Sequence, residues 1–261
     1  ASLAGVLVAE IINCNFIVAF SIGIAITWVV TGLAGRFFFK DDLAGSSMRG
    51  VIASYGNNGY LGIPLAVTAF GAPAMVPASL SALINSVFIM TGAVLILEFT
   101  RARETGSAVF NIAKVLCTNP LLLAVATGLV LSLNSAALPV SIERLLNLLG
   151  QAAAPSALVA IGLFLAGRPV VGLLASAAVS SLAKLALFPL VVWLLTLYVF
   201  PIEPLWAVVA VLMAGMPVGA NAFVIAGHYG LRLDDASAAI VVTTVISLVS
   251  LSLMIILMTG G

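Results

Sequence analysis

The stretch Ser54-Tyr55-Gly56-Asn57-Asn58-Gly59-Tyr60-Leu61-Gly62-Ile63-Pro64 sets two amides, three glycines and a proline inside a run that carries no charge from residue 50 to residue 97. Glycine weakens a helix, and proline removes a backbone donor and clashes with the preceding turn. In a hydrocarbon solvent each freed N–H or C=O costs several kcal/mol unless something satisfies it. The run is long enough for two crossings at about 20 residues each. It divides at Phe70-Gly71-Ala72-Pro73, a turn signal between two apolar segments. The stretch therefore reads as an interruption halfway along a membrane-crossing helix.

The rest of the chain agrees that the solvent is lipid. Hydrophobic residues make up 63% of the 261 residues and charged ones 7%, against about 45–50% and about 25% in soluble domains. The formal net charge of +1 excludes an electrostatic footprint for nucleic acid. Uncharged or nearly uncharged segments cover 11–35, 50–97 (two crossings), 115–142, 145–167, 169–202, 204–227 and 236–261. The expected fold class is an all-α polytopic membrane protein with about eight transmembrane helices; runs such as 121–133 show none of the alternation of a membrane β-barrel. Arg36, Lys40, Arg49, Arg101, Arg103, Lys114, Arg168 and Arg232 fall in connections on one side, and Arg144 alone on the other. That asymmetry makes the first side cytoplasmic and places both ends of the chain opposite it. Cys14 and Cys117 are expected at opposite faces of the bilayer, too far apart to bridge.

A second interruption, Gly215-Met216-Pro217-Val218-Gly219-Ala220-Asn221, lies in the seventh span. Span two ends in Phe70-Gly71, with Ala78-Ser79 opening the next span; span seven ends in Tyr229-Gly230, with Ala236-Ser237 opening the next. Span two starts from the cytoplasmic side and span seven from the other, so the two units are expected to be inverted repeats. Their boundaries would be 1–114 (three spans, incomplete) and 115–261 (five spans). Interrupted helices at matching places in inverted halves point to a binding site between them. Each leaves a half-helix whose N-terminus presents unpaired N–H groups and about half a positive charge, which suits an anion such as a carboxylate. Asn57, Asn58 and Asn221 would add amide donors, with Gly56, Gly59, Pro64, Pro217 and Gly219 as the hinge of the crossing. The competing reading is a pair of proline kinks with Gly and Asn serving close helix packing.

Lys184 lies sixteen residues after Arg168, about 24 Å along a helix, too deep for an end-of-helix anchor. It reads either as a cation that balances an anionic substrate or stands in for a coupling Na⁺, or as a lysine that snorkels along Phe188 or pairs with a carbonyl of an unwound segment. Asn85, Ser86, Thr243, Thr244 and Ser247 would line the same cavity or join helices. Glu10 and Glu98 are expected in solvent at span ends, and His228 at an interface. No His, Cys, Asp or Glu cluster has metal-ligand spacing, and no Gly-rich loop ends in Lys-Ser/Thr, so no metal, cofactor or enzymatic activity is expected.

The run from Gly56 to Leu65 resembles the signature of the auxin efflux carrier family, which includes plant PIN-FORMED carriers and bacterial malonate and malate permeases. Asn119-Pro120, Ala153-Ala154-Pro155-Ser156-Ala157-Leu158, Lys184 with Pro189, and Met216-Pro217 through Tyr229-Gly230 fit the same family. The resemblance implies ten helices in two inverted five-helix repeats with two broken crossing helices, an architecture like that of bile-acid sodium symporters. It implies a secondary carrier that moves a small organic anion (a mono- or dicarboxylate such as malonate or malate, or an auxin-like acid) by elevator-type alternating access. It implies a bacterial inner membrane for this short-looped form, since residues 99–114 are the only link where plant long forms carry a large loop. Two N-terminal helices of the family pattern are missing from this sequence, and a homodimer is implied where they are present. Asn58 stands where many relatives carry Thr, so Asn57 is the amide that transfers directly. The alternatives are a sodium-coupled symporter of the bile-acid type and a non-transporting membrane subunit or sensor.

Overall fold

A computed structural model describes residues 13–105, 138–165 and 177–259, with isolated helical positions at 123, 127, 130 and 131. The span expected at 115–142, with Cys117 and Asn119-Pro120, lies almost wholly outside the described residues, as do Glu10 and Arg168. Among the described residues there are nine helices. They are α1 (Cys14–Phe39), α2 (Leu43–Ser54), α3 (Ile63–Phe70), α4 (Met75–Thr105), α5 (Val140–Leu165), α6 (Ala177–Val199), α7 (Pro204–Ala214), α8 (Ala220–Tyr229) and α9 (Leu233–Thr259). Four helical stretches are long and apolar enough to cross a membrane: Cys14–Phe39, Ala72–Thr100, Ala177–Val199 and Leu233–Met258. Two further lines of helix are each built from two short pieces, α2 with α3 and α7 with α8.

Local chemistry sets these boundaries. The Asn13 side chain accepts from the Phe16 N–H at 3.0 Å to open α1, and Asp42 accepts from the Gly45 N–H at 2.7 Å to open α2, each satisfying an orphan donor of a first turn. Lys40 closes α1 in the left-handed conformation. The resulting turn folds α2 back along α1 as a close antiparallel pair. A Cβ at Gly50 would lie 2.6 Å from the Trp28 carbonyl oxygen, and one at Gly32 would lie 3.1 Å from that of Ser46. Backbones approach this closely only across small residues, which is how membrane helices gain packing energy without a hydrophobic drive between them.

Aromatic rings join α1 to the second half of the chain. Phe16 meets Trp206 of α7 edge-on at 5.1 Å, and Phe20 meets Phe188 of α6 at 5.6 Å. The outward faces are as apolar as the core: Val245, Leu248, Val249, Ile256 and Leu257 of α9 are all exposed. An apolar exterior over a packed interior is the arrangement a bilayer requires.

Two charged residues, one expected in solvent at a span end and one in a connection, are instead inside. Glu98 is buried within α4. Arg49, expected in a connection, is 1% exposed within α2. Its guanidinium is stacked 4.2 Å from the centroid of the Phe39 ring, donates to Asp41 at 3.0 Å and faces Asp235 at 3.8 Å. Arg232 pairs with both of the same carboxylates and donates to the Gly45 carbonyl at 3.0 Å. The first half of the chain supplies Asp41 and Arg49, the second half Arg232 and Asp235. Two cations and two anions cancel, which is the condition for burying them. Gly35 makes room, since a Cβ there would lie 2.6 Å from Asp41 Oδ2 and 3.0 Å from Arg49 Nε. Arg232 holds a left-handed φ of 53°, a conformation that costs about 1–3 kcal/mol and that its three polar contacts offset.

Replacing Arg49 with Met would remove one of the two cations that balance the buried carboxylates of Asp41 and Asp235, and should lower stability by about 3–5 kcal/mol. Thermal unfolding in detergent checks this, with the exposed Arg36→Met as the comparison that should change stability by no more than about 0.5 kcal/mol.

Candidate functional site

The two interruptions meet. α2 ends at Ser54, and Tyr55 turns into extended backbone at φ −78°, ψ 105°. From there Gly56 and Val218 form an antiparallel bridge. The Asn57 N–H donates to the Pro217 carbonyl at 2.8 Å, and the Gly219 N–H donates to the Tyr55 carbonyl at 3.0 Å. Each break therefore supplies the partner the other lacks, and the chains run in opposite directions where they cross. Gly219 permits the approach: a Cβ there would lie 2.9 Å from the Gly56 carbonyl oxygen and 3.2 Å from the Tyr55 ring.

Side chains satisfy most of what remains. Asn85 of α4 spans the first break, accepting from the Gly56 N–H at 3.1 Å and donating to the Ser54 carbonyl at 3.0 Å. Thr243 of α9 does the equivalent at the second, accepting from the Val218 N–H at 3.0 Å while donating to the Ala239 carbonyl at 2.6 Å. The two residues occupy comparable places, each in the long helix that follows its break. Expected either to line a cavity or to join helices, both are braces of the backbone. The signal that could have found them is an amide or hydroxyl in the apolar helix directly downstream of an interruption.

Lys184 is completely buried. Its ammonium donates to the Ala214 carbonyl, the last residue of α7, at 2.6 Å and lies 4.5 Å from the centroid of the Phe188 ring. Both expected contacts, the pairing with a carbonyl at an unwound segment and the approach to Phe188, are present. The same ammonium borders Gly56, whose Cβ would lie 3.3 Å from Nζ and would collide with the Asn58 side chain. The absence of a side chain at Gly56 is thus what lets Asn58 and Lys184 share this space.

The other expected site residues separate into four groups. Gly56, Pro217 and Gly219 are buried at the crossing itself, with Asn57 half-buried beside them. Asn58 is 2% exposed, and neither its amide nitrogen nor its oxygen has a hydrogen-bond partner. Asn221 is exposed at the start of α8 and donates from its amide to the Tyr55 hydroxyl at 2.8 Å; that hydroxyl donates in turn to Ser86 Oγ at 3.4 Å. Pro64 and Gly59 are not at the crossing. Pro64 follows a π-turn, Asn58–Gly62, at the start of α3, and Gly59 faces open space. The wide turn accommodates a residue that cannot donate to the carbonyl four positions back. The same pairing recurs in α6, where the π-turn Ala183–Leu187 carries Lys184 and precedes Pro189.

The electrostatics follow from these assignments. Each break exposes one negative helix C-terminus and one positive N-terminus. The C-terminal carbonyls of α2 and α7 receive donors from Asn85 and Lys184. The N-termini of the π-turn that leads into α3 and of α8 have no side-chain cap. The balance at the crossing is positive, with uncapped N–H groups, an unpartnered amide and a buried ammonium, and no Asp or Glu among the described residues is part of it. Such an arrangement stabilises negative charge brought to it. Among the described residues no group of three His, Cys, Asp or Glu could hold a metal ion.

Residues 3–255 match a family described as membrane transport proteins. Over 259 residues the chain is 32% identical to the "Putative malonate transporter" of Rhizobium meliloti (strain 1021), an alignment covering 97% of this chain and 80% of that relative. Two interrupted helices crossing inside a lipid-solvated bundle, and a match along nearly the whole chain, lead to one assignment: the protein is a multi-pass integral membrane protein of the auxin efflux carrier family of membrane transport proteins.

Proposed function

We propose that the protein is a secondary carrier of a small organic anion, a mono- or dicarboxylate of the malonate or malate class, bound at the crossing of the two interrupted helices and moved by elevator-type alternating access. The observation that carries this reading is Asn58: a fully buried amide with no partner costs about 1–3 kcal/mol, and such a cost is retained where a ligand completes the bonding. The Asn58 side chain shares the space at Gly56 with the Lys184 amine and opens the turn whose uncapped N-terminus leads into α3, a set suited to carboxylate oxygens. The relative named for malonate supports the substrate class. In this reading 1–114 and 115–261 are inverted repeats, as the paired braces Asn85 and Thr243 favour, and the site sits in a bacterial inner membrane. A sodium-coupled mechanism has less support, because Asp41 and Asp235 are held in the ion quartet, away from the crossing.

Uptake of labelled malonate into proteoliposomes tests the reading. Asn58→Ala should cut flux at least tenfold while leaving unfolding temperature unchanged or slightly raised, since the amide makes no bond within the protein; wild-type flux in this variant would refute the assignment. Lys184→Met should also lower flux, and in addition reduce stability by about 1–3 kcal/mol because the Ala214 carbonyl loses its donor. A lysine variant that transports at the wild-type rate would show that the positive charge is not needed.

A further inference from the structure

Asn221 is exposed, and an exposed asparagine ordinarily samples several rotamers, which is a poor basis for binding a small anion. Here its amide is tethered. The Tyr55 hydroxyl, on a residue 3% exposed, accepts from Asn221 Nδ2 at 2.8 Å. The hydroxyl accepts through a lone pair while its own hydrogen is directed to Ser86 Oγ at 3.4 Å, which orients it. The ring is fixed as well, lying against Gly219, where even a Cβ would come within 3.2 Å. The relay runs from α4 through the first break to α8 of the second. It leaves one Asn221 N–H and the amide oxygen free.

We propose that Tyr55 is the positioning residue of the site: its hydroxyl, oriented by Ser86, fixes the Asn221 amide so that the remaining N–H is presented to the bound anion. The assignment rests on the carrier reading given above. Tyr55 does not itself donate to the anion, because its hydrogen is used internally. The gain is preorganisation, since an amide already held in one rotamer loses less entropy when ligand arrives. Adjacent residues of α4 thereby divide the work at the first break, Asn85 holding the backbone and Ser86 the side-chain relay.

The test is malonate transport by Tyr55→Phe in proteoliposomes, resolved into KM and maximal rate. Phenylalanine keeps the ring against Gly219 and removes only the hydroxyl. KM should rise about five- to tenfold, the loss of one hydrogen bond, with the maximal rate within about twofold of wild type. Asn221→Ala should raise KM at least as much, and the double variant should be no worse than Asn221→Ala alone, because the tether has nothing left to hold. Ser86→Ala should give a smaller rise in the same direction. An unchanged KM in Tyr55→Phe, or additive effects in the double variant, would overturn the assignment while leaving the carrier reading intact. A wild-type protein that moves no malonate, malate or related carboxylate would overturn the carrier reading, and this assignment with it.

Discussion

A polypeptide surrounded by hydrocarbon has to satisfy its backbone hydrogen bonds from within, and this chain interrupts two of its helices where water is least available. The solution is mutual. Tyr55 and Asn57 on one side bond Gly219 and Pro217 on the other, so neither interruption is tolerable without its counterpart. Proline at 217 fits because its nitrogen has nothing to donate while its carbonyl receives the Asn57 N–H. Two short antiparallel segments thus do inside a helical bundle what strands do in a sheet, and the helices that follow supply the rest through Asn85 and Thr243.

Charge is partitioned by the same logic. The four ionised residues Asp41, Arg49, Arg232 and Asp235 cancel one another where the turns after α1 and α8 come together, and tie the two halves of the chain at a second level besides the crossing. Lys184 is different, because no carboxylate among the described residues answers it. Its contacts are a helix-terminal carbonyl and the face of Phe188, both of which stabilise a cation without neutralising it. The Lys184 amine is held beside the unpartnered Asn58 amide at the crossing.

The prolines show how a residue type can mark a feature without sitting at it. Pro64 and Pro189 each follow a π-turn, and those turns, not the proline rings, carry Asn58 and Lys184. The wider turn displaces a side chain relative to an α-helical register, which is one way a sequence directs a polar group inward from an otherwise regular span.

Composition and local pattern alone determined the lipid solvent, the helical class, the two interruptions at Gly, Pro and Asn, and the anomalous depth of Lys184. These are properties of short windows, because hydrocarbon penalises charge and unpaired backbone wherever they occur. The resemblance carried by residues 56–65 and 216–230 pointed to the same family that the whole-chain match establishes. Other features could be decided only in three dimensions. Arg49 reads as a residue of a cytoplasmic connection, and its burial draws on Asp41 nearby in sequence together with Asp235 from the other half of the chain, which nothing near it announces. Asn85 and Thr243 could equally line a cavity; the backbone atoms that need them belong to breaks 25 to 31 residues away. The acceptor of Lys184 and the tether of Asn221 are likewise contacts between distant helices. Local periodicity encodes which residues resist lipid, whereas tertiary packing chooses which of them satisfy each other and leaves the buried amide of Asn58 without a partner.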